Sequence, residues 1–201
     1  MKAWHFTTST LRNGDPIPKV GVPLAYKGKL KMCESGLHAS IKIIDALVYA
    51  PGPMIHRVEC AGKIVQQEDK LVCSKRTILW SLDGTQLLHR FARECALDVI
   101  HLWDAPAIVR RYLATGDESI RVAANAAADV GAVAARVATN AAFAANAAAF
   151  VANAASNAAS NAARAARAVH YAAADDAAYY AARKKQNKRL EALVNATNKG
   201  D

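Results

Sequence analysis

Met54-Ile55-His56-Arg57-Val58-Glu59-Cys60 alternates without a break. Met54, His56, Val58 and Cys60 fall on one side, and Ile55, Arg57 and Glu59 on the other. A period of two marks a strand with two unlike faces. The flanks agree with that reading. Pro51-Gly52 stops the element before it, and Ala61-Gly62 turns the chain into Lys63–Gln67. Arg76–Leu82, with Ile78, Leu79 and Trp80, reads as a further strand closed by Asp83-Gly84. Upstream, Lys2–Thr7 reads as a first strand and Asn13-Gly14-Asp15-Pro16 as a turn. Val20–Leu24 and Leu30–Cys33 read as short strands either side of a Lys27–Lys29 turn. Ser40 is placed to cap a helix carrying Ile43, Ile44, Ala46, Leu47 and Val48. Residues 1–84 are therefore expected to form an α+β domain of five or six short strands and one helix.

After Gly84 the period changes. Leu88, Phe91, Cys95, Val99 and Leu102 form a helical stripe. Asp104 and Pro106 suit the start of a second helix, whose apolar face is Ile108, Val109, Tyr112 and Leu113. Gly116 suits a left-handed cap, and Asp117 can start the next helix. Residues 85–116 thus read as a helical connector, and 117–201 as an alanine-rich helical arm with a basic end. Residues 123–182 hold 33 alanines in 60 positions. Alanine has the highest helix propensity, but a buried methyl contributes only about 0.8 kcal/mol, against about 1.5–3 for Leu or Phe. The overall 53% of hydrophobic residues therefore overstates the core. The tract fits either one rod of roughly 90 Å or helices folded back with a break near Asp129–Gly131 or Asp175-Asp176. It needs a second helix to pack on, from its own chain or from a copy. Ala145, Ala152, Ala159, Ala163 and Ala166 lie on its small-residue stripe and are the oligomerisation residues of this reading.

The net charge of +9 is uneven. Residues 1–90 carry 13 Lys/Arg against 7 Asp/Glu, residues 123–182 carry 3 of each, and residues 183–201 carry 6 against 2. Basic ends attract nucleic acid or acidic proteins. Arg183, Lys184, Lys185, Lys188 and Arg189 are the candidate partner-binding residues, and they also face the negative end of their helix dipole. No run of about 18 strongly apolar residues is present to span a membrane. The start, MKAWHFTTST, has no apolar signal-peptide core, and the cysteines at 33, 60, 73 and 95 form no C-x-x-C pair. Reduced thiols in a cytoplasmic protein are expected. There is no P-loop, G-x-G-x-x-G, H-E-x-x-H or G-x-S-x-G, and the six histidines have no zinc-ligand spacing. Neither a metal nor a resident cofactor is expected.

One polar arrangement carries chemistry. His5 lies in the first strand, followed by Thr7 and Thr8. His38 lies in Gly36-Leu37-His38-Ala39-Ser40, and Glu68 and Asp69 follow Lys63–Gln67. This order resembles the ADP-ribosyltransferase layout. Leu11–Asp15, Tyr49-Ala50-Pro51-Gly52, Val58-Glu59 and Gly62-Lys63-Ile64 are similar in particular to the small rifampicin ADP-ribosyltransferases. The resemblance implies NAD as ligand, His5 on its ribose, His38 at the nicotinamide-stacking position in place of the usual Tyr, and Glu68 or Asp69 orienting the attack. A second resemblance spans most of the chain. Lys2-Ala3-Trp4-His5-Phe6, Cys33 through Ser40, Asp45-Ala46-Leu47 with Tyr49–Gly52, Asp69-Lys70, Arg76, and Tyr112-Leu113 through Ser119 look like a group of uncharacterised phage and bacterial proteins with alanine-rich tails. It implies an accessory protein of phage or prophage type, without enzymatic activity, that binds a macromolecular partner such as host defence machinery. In that reading the alanine helices form a homo-oligomer or clamp the partner. Direct nucleic-acid binding by the basic end is a further alternative.

Overall fold

The computed structural model describes residues 1–134, 158–171 and 176–198. The chain divides into two units, Met1–Thr85 and the residues from Gln86 onward. The first is an α+β unit with strands β1 (Lys2–Thr7), β2 (Pro23–Ala25) and β3 (Leu37–Ala39), helix α1 (Ile43–Val48), and strands β4 (Met54–Gln66) and β5 (Leu71–Asp83). All pairings are antiparallel, in the order β1-β4-β5-β2, with β3 also on β5. Pro23, which has no N–H to give, sits on the short edge strand β2. Ser40, just past β3, exchanges two backbone bonds with Trp4 of β1, at 2.7 and 3.0 Å. The sheet therefore curls until β3 and Ser40 bridge β5 and the free edge of β1.

Two slips in the β4–β5 ladder decide which side chains face the interior. Arg57 pairs with Trp80 but Val58 pairs with Ile78, and Cys60 pairs with Arg76 but Ile64 with Cys73. Trp80 and Ile78 would share a face in an unbroken ladder. Here Trp80 meets Trp4 edge-on at 5.7 Å, while Ile78 joins the inner cluster of Ala3, Ala39, Val58, Cys60, Leu71 and Cys73. Cys73 and Arg76 would face opposite sides, yet both are buried. On the outer face α1 packs against β1 and buries Ile43, Ile44 and Leu47, each contributing about 1.5–3 kcal/mol.

Three readings of the first unit are corrected. Leu30–Cys33 is not a strand: Lys31 bonds back to Ser35, and the strand begins after Gly36. Ser40 does not cap α1, because its backbone is committed to Trp4. Lys42 stands at the N-cap and makes no side-chain cap. Ala61-Gly62 does not end β4, because Gly62, at φ +73°, is absorbed as a bulge.

In the second unit the helices are α2 (Thr85–Val99), α3 (Ala107–Thr115), α4 (Arg121–Ala134), α5 (Ala158–Tyr171) and α6 (Asp176–Asn198). Gly116 caps α3 at φ +69°, and Asp117 accepts from the Ser119 amide at 3.0 Å. α4 runs through Asp129–Gly131 without a break. The single rod does not form. Gln186 of α6 donates to the Ala166 carbonyl of α5 at 3.2 Å, whereas twenty residues of one helix would separate them by about 30 Å. α6 starts at Asp176 and packs on α5 within the same chain. Leu190 and Val194 follow Gln186 on its buried face. Asp98 of α2 takes two bonds from Arg189, at 2.9 and 3.0 Å, and one from Lys185 at 2.9 Å. Burial alone would raise the Asp98 carboxyl, but these bonds outweigh it and hold it below its ordinary value. Among the described residues no helix is long and apolar enough to cross a membrane.

Gly36 tests the curl. It sits at φ +110°, and an added Cβ would lie 2.4 Å from Val72 Cγ2 and 2.8 Å from Leu30 Cδ2. Gly21, at φ +80°, would meet nothing within 4 Å. Gly21→Ala should cost about 1 kcal/mol of backbone strain, and Gly36→Ala at least about 2 kcal/mol more. Urea unfolding followed by tryptophan fluorescence compares the two, and equal losses would refute this account of the loop.

Candidate functional site

The inward alternation of β1 places Ala3, His5 and Thr7 on one face, and the pairing sets His5 opposite His56 of β4. The two imidazoles stack at 6.2 Å with 29° between planes. His56 is completely buried between two hydroxyls, Thr7 Oγ1 at 2.8 Å from Nε2 and Ser81 Oγ at 2.7 Å from Nδ1. The Thr7 hydroxyl spends its only hydrogen on the Thr8 carbonyl, at 2.8 Å. Nε2 of His56 must therefore donate to Thr7, and Nδ1 accepts from Ser81. This is a neutral imidazole with both nitrogens satisfied.

Arg76, in β5, is 7% exposed and extends from the same hairpin. Its Nη1 donates to the His38 carbonyl at 2.5 Å. Among the described residues it has no salt bridge to a carboxylate. Burial pulls its pKa down, and the neighbouring Cys60 and Cys73 act in the opposite direction. Cys73 is held below its ordinary value chiefly by a hydrogen bond from Cys60, whose own thiol is pushed up. Arg76 in turn depresses the neighbouring histidines. His56 is held down at about 4, first by burial and then by Arg76. His5 is lowered by burial, then by Arg76, His56 and His38.

His38 in β3 links this interior to the surface. Its Nε2 accepts from the Cys33 amide at 3.0 Å, so the ring is neutral and its hydrogen sits on Nδ1. Burial lowers its pKa, and Arg76, Arg12 and Lys70 lower it further against the opposing hydrogen bond at Gly36. Cys33 takes φ +64° to make that contact.

The structure thus brings His5 and His38 into one electrostatic cluster. It adds His56, Arg76, Thr7 and Ser81, to which the sequence reading gave no site role. The signal was present: His56 shares its alternating face with Val58 and Cys60. The two carboxylates go elsewhere. Glu68 is exposed in the β4–β5 turn. Asp69 accepts from the Tyr49 hydroxyl, and Lys70 reaches the same hydroxyl at 3.3 Å while lying 4.9 Å from the ring centre. No carboxylate is among the groups acting on His5.

Of the residues in the basic end, Lys185 and Arg189 are engaged with Asp98, and Arg189 also reaches Glu94 at 3.4 Å. Lys184 and Lys188 are exposed. Of the alanine stripe, Ala159 and Ala166 are buried inside the chain and Ala163 is half-buried. Ala145 and Ala152 lie outside the described residues. Among the described residues no three His, Cys, Asp or Glu side chains could hold a metal ion.

The burial of His56 fixes a pH dependence. Above pH 6.5 neither the folded nor the unfolded chain carries the proton. As pH falls from 6.5 towards 4 the unfolded chain binds a proton that the folded imidazole refuses. Stability should drop across that window by about 3 kcal/mol, with His5 adding in the same direction. His56→Leu should lose about 1–3 kcal/mol at pH 7 by stranding Ser81 and Thr7, and should show a flatter curve below 6.5. Melting at half-unit pH steps measures both, and an unchanged slope in the variant would remove His56 as the cause.

Residues 1–90 match the family model described as "Domain of unknown function (DUF7666)". No curated protein and no solved structure matches the chain.

Proposed function

We propose that the first unit binds a phosphate-bearing dinucleotide of the NAD class at the His5–His38–Arg76 cluster. The observation that carries this reading is Arg76: a guanidinium 7% exposed with no carboxylate partner among the described residues. A buried ion without a counter-charge costs several kcal/mol. The three imidazoles around it are neutral and cannot compensate it. A pyrophosphate would supply the counter-charge. Arg guanidinium suits that partner because it gives parallel N–H bonds to phosphate oxygens. Arg12 and Lys70 add positive potential at the His38 edge. His38 would have to release its Nδ1–H from Gly36 to offer it to a ribose or phosphate oxygen, and His5 would close the inner wall. ADP-ribosyl transfer additionally needs a carboxylate at the ribose. Asp69 would have to exchange its bond from Tyr49 to provide one, so binding is the primary reading and transfer the conditional one.

A different observation favours a macromolecular partner for the second unit, in keeping with a phage-type accessory role. Lys185 and Arg189 turn to Asp98, which leaves Lys184, Lys188 and Tyr180 exposed along α6. Light scattering of the wild type and of Lys184→Glu/Lys188→Glu over a salt series tests this surface. A salt-sensitive oligomer that the variant loses supports it, and a monomer indifferent to both removes it.

The dinucleotide reading is tested by thermal shift and calorimetry with NAD, ADP-ribose and nicotinamide. NAD and ADP-ribose should raise the melting midpoint by several degrees, since a hundredfold excess over Kd contributes about 2.7 kcal/mol. Nicotinamide should not. Arg76→Gln and His38→Ala, checked for folding by circular dichroism, should lose the shift. Label transfer from NAD separates transfer from binding. No shift with millimolar NAD or ADP-ribose would refute the reading.

A further inference from the structure

A recess lies on the same unit, between the Tyr26–Leu30 segment and the β4 bulge. Its volume is about 380 Å³, and Tyr26, Lys27, Lys29, Leu30, Lys63 and Ser74 line it together with Gly28. That size is within the usual range for small-molecule sites. Both walls hang on one residue of β5. The Tyr26 amide donates to the Ser74 carbonyl at 2.8 Å, and the Lys63 amide donates to Ser74 Oγ at 2.9 Å. The second bond follows from Gly62, whose positive φ turns the bulge and whose missing Cβ would otherwise lie 2.2 Å from that same hydroxyl oxygen. The bulge thus aims Lys63 towards Lys27 and Lys29.

Gly28 sets the aromatic wall. A Cβ there would fall 2.5 Å from Tyr26 Oη and 2.7 Å from Cζ, so the ring closes on Gly28 because nothing else stands there. The result is three lysines and a tyrosine lining one recess, with no acidic residue in its lining. Nearby cations behave differently: Lys31 pairs with Glu34 at 2.7 Å. Lys27, Lys29 and Lys63 form no ion pair with any described residue. Gathering three like charges is unfavourable unless an anion joins them. A basic concavity with an aromatic platform is also the combination that receives a nucleotide, the phosphate on the ammonium groups and the base on the ring.

We propose that this recess binds the phosphate of a nucleotide, free or in a single strand, with Lys27, Lys29 and Lys63 as phosphate ligands and Tyr26 as the base platform. The site is separate from the Arg76 cluster and stands whether or not that cluster takes a dinucleotide.

The test uses the full chain with three probes: pyrophosphate, AMP and a fluorescein-labelled twelve-nucleotide dT strand. Calorimetry reads the first two and anisotropy the third. Lys29→Glu/Lys63→Glu should weaken all three tenfold or more. Tyr26→Ala should weaken AMP and dT by roughly tenfold while sparing pyrophosphate. All three are also measured in the Arg76→Gln background, so that pyrophosphate or AMP held by the interior cluster is separated from binding at the recess. If the strand is the occupant, dT binds well above AMP and its affinity falls with a log–log salt slope of about −2 for three contacts. If the free nucleotide is the occupant, AMP matches dT. Circular dichroism confirms that the variants fold. Absence of binding at 0.1 M salt, or binding indifferent to Lys29→Glu/Lys63→Glu, would overturn the proposal.

Discussion

The constraint on which the first unit depends is the pair of register slips in the β4–β5 hairpin. Without the slip at Arg57/Val58, Trp80 and Ile78 would compete for one face. Without the slip at Ala61/Ile64, Arg76 and Cys73 could not both turn inward. The first slip gives the sheet an aromatic outer face, where Trp4 and Trp80 meet and the Arg57 guanidinium lies 4.4 Å from the Trp4 ring centre. The second sets Cys73 beside Arg76 in the interior. It also sets Lys63 beside the recess, because Gly62 must turn there. One irregularity therefore shapes the interior cluster and the recess together. Bulges commonly re-aim side chains beside functional sites, and here the second one brings Cys73 to the face that Ile78 and Arg76 already hold by alternation.

The same irregularity explains which parts of the fold the sequence reveals. β1 is legible from Lys2–Thr7, and the alternation at Met54–Cys60 locates the strand that positions His56. The α+β character of residues 1–84 follows from these segments. The length of β4 does not, because Ala61-Gly62 is indistinguishable from a turn until its partner strand is known. β3 is hidden for a related reason. Leu37–Ala39 is only three residues long and is held by β5 and β1, neither of which is near it in sequence. Ser40 then reads as a helix cap, when its backbone is instead used to close the sheet. His5 and His38 stand out as polar residues in apolar segments. Arg76 does not, since a strand arginine ordinarily points to water and only its pairing opposite the buried Cys60 places it inside.

The alanine-rich part shows the limit of composition. Propensity makes helices there, but methyl groups cannot fix how the helices associate. The definition comes from the few other residues. Gln186 is buried against a backbone carbonyl of α5, and Leu190 and Val194 continue its face. Asp98 then locks α6 to α2 through Arg189 and Lys185. A run of cations that looks in the sequence like one binding patch is thus divided by helical periodicity. Residues 185 and 189 turn inward as structural partners, and 184 and 188 remain outside.

That division gives a criterion for the positive charge of the whole chain. A cation matched by a carboxylate, as Arg189 is by Asp98 or Lys31 by Glu34, is explained by the fold itself. A cation that the fold gathers with others and leaves unmatched is not. Arg76 meets this condition in the interior, where desolvation makes the imbalance expensive. Lys27, Lys29 and Lys63 meet it at the surface, where water screens the repulsion and the shape of the recess must carry more of the argument. The two places differ accordingly in what they can recognise. On the dinucleotide reading the interior guanidinium, fixed by the His38 carbonyl and flanked by neutral imidazoles, would hold one anion in one orientation. The lysines, on flexible stems round an aromatic ring, suit an anion whose attached base does the positioning.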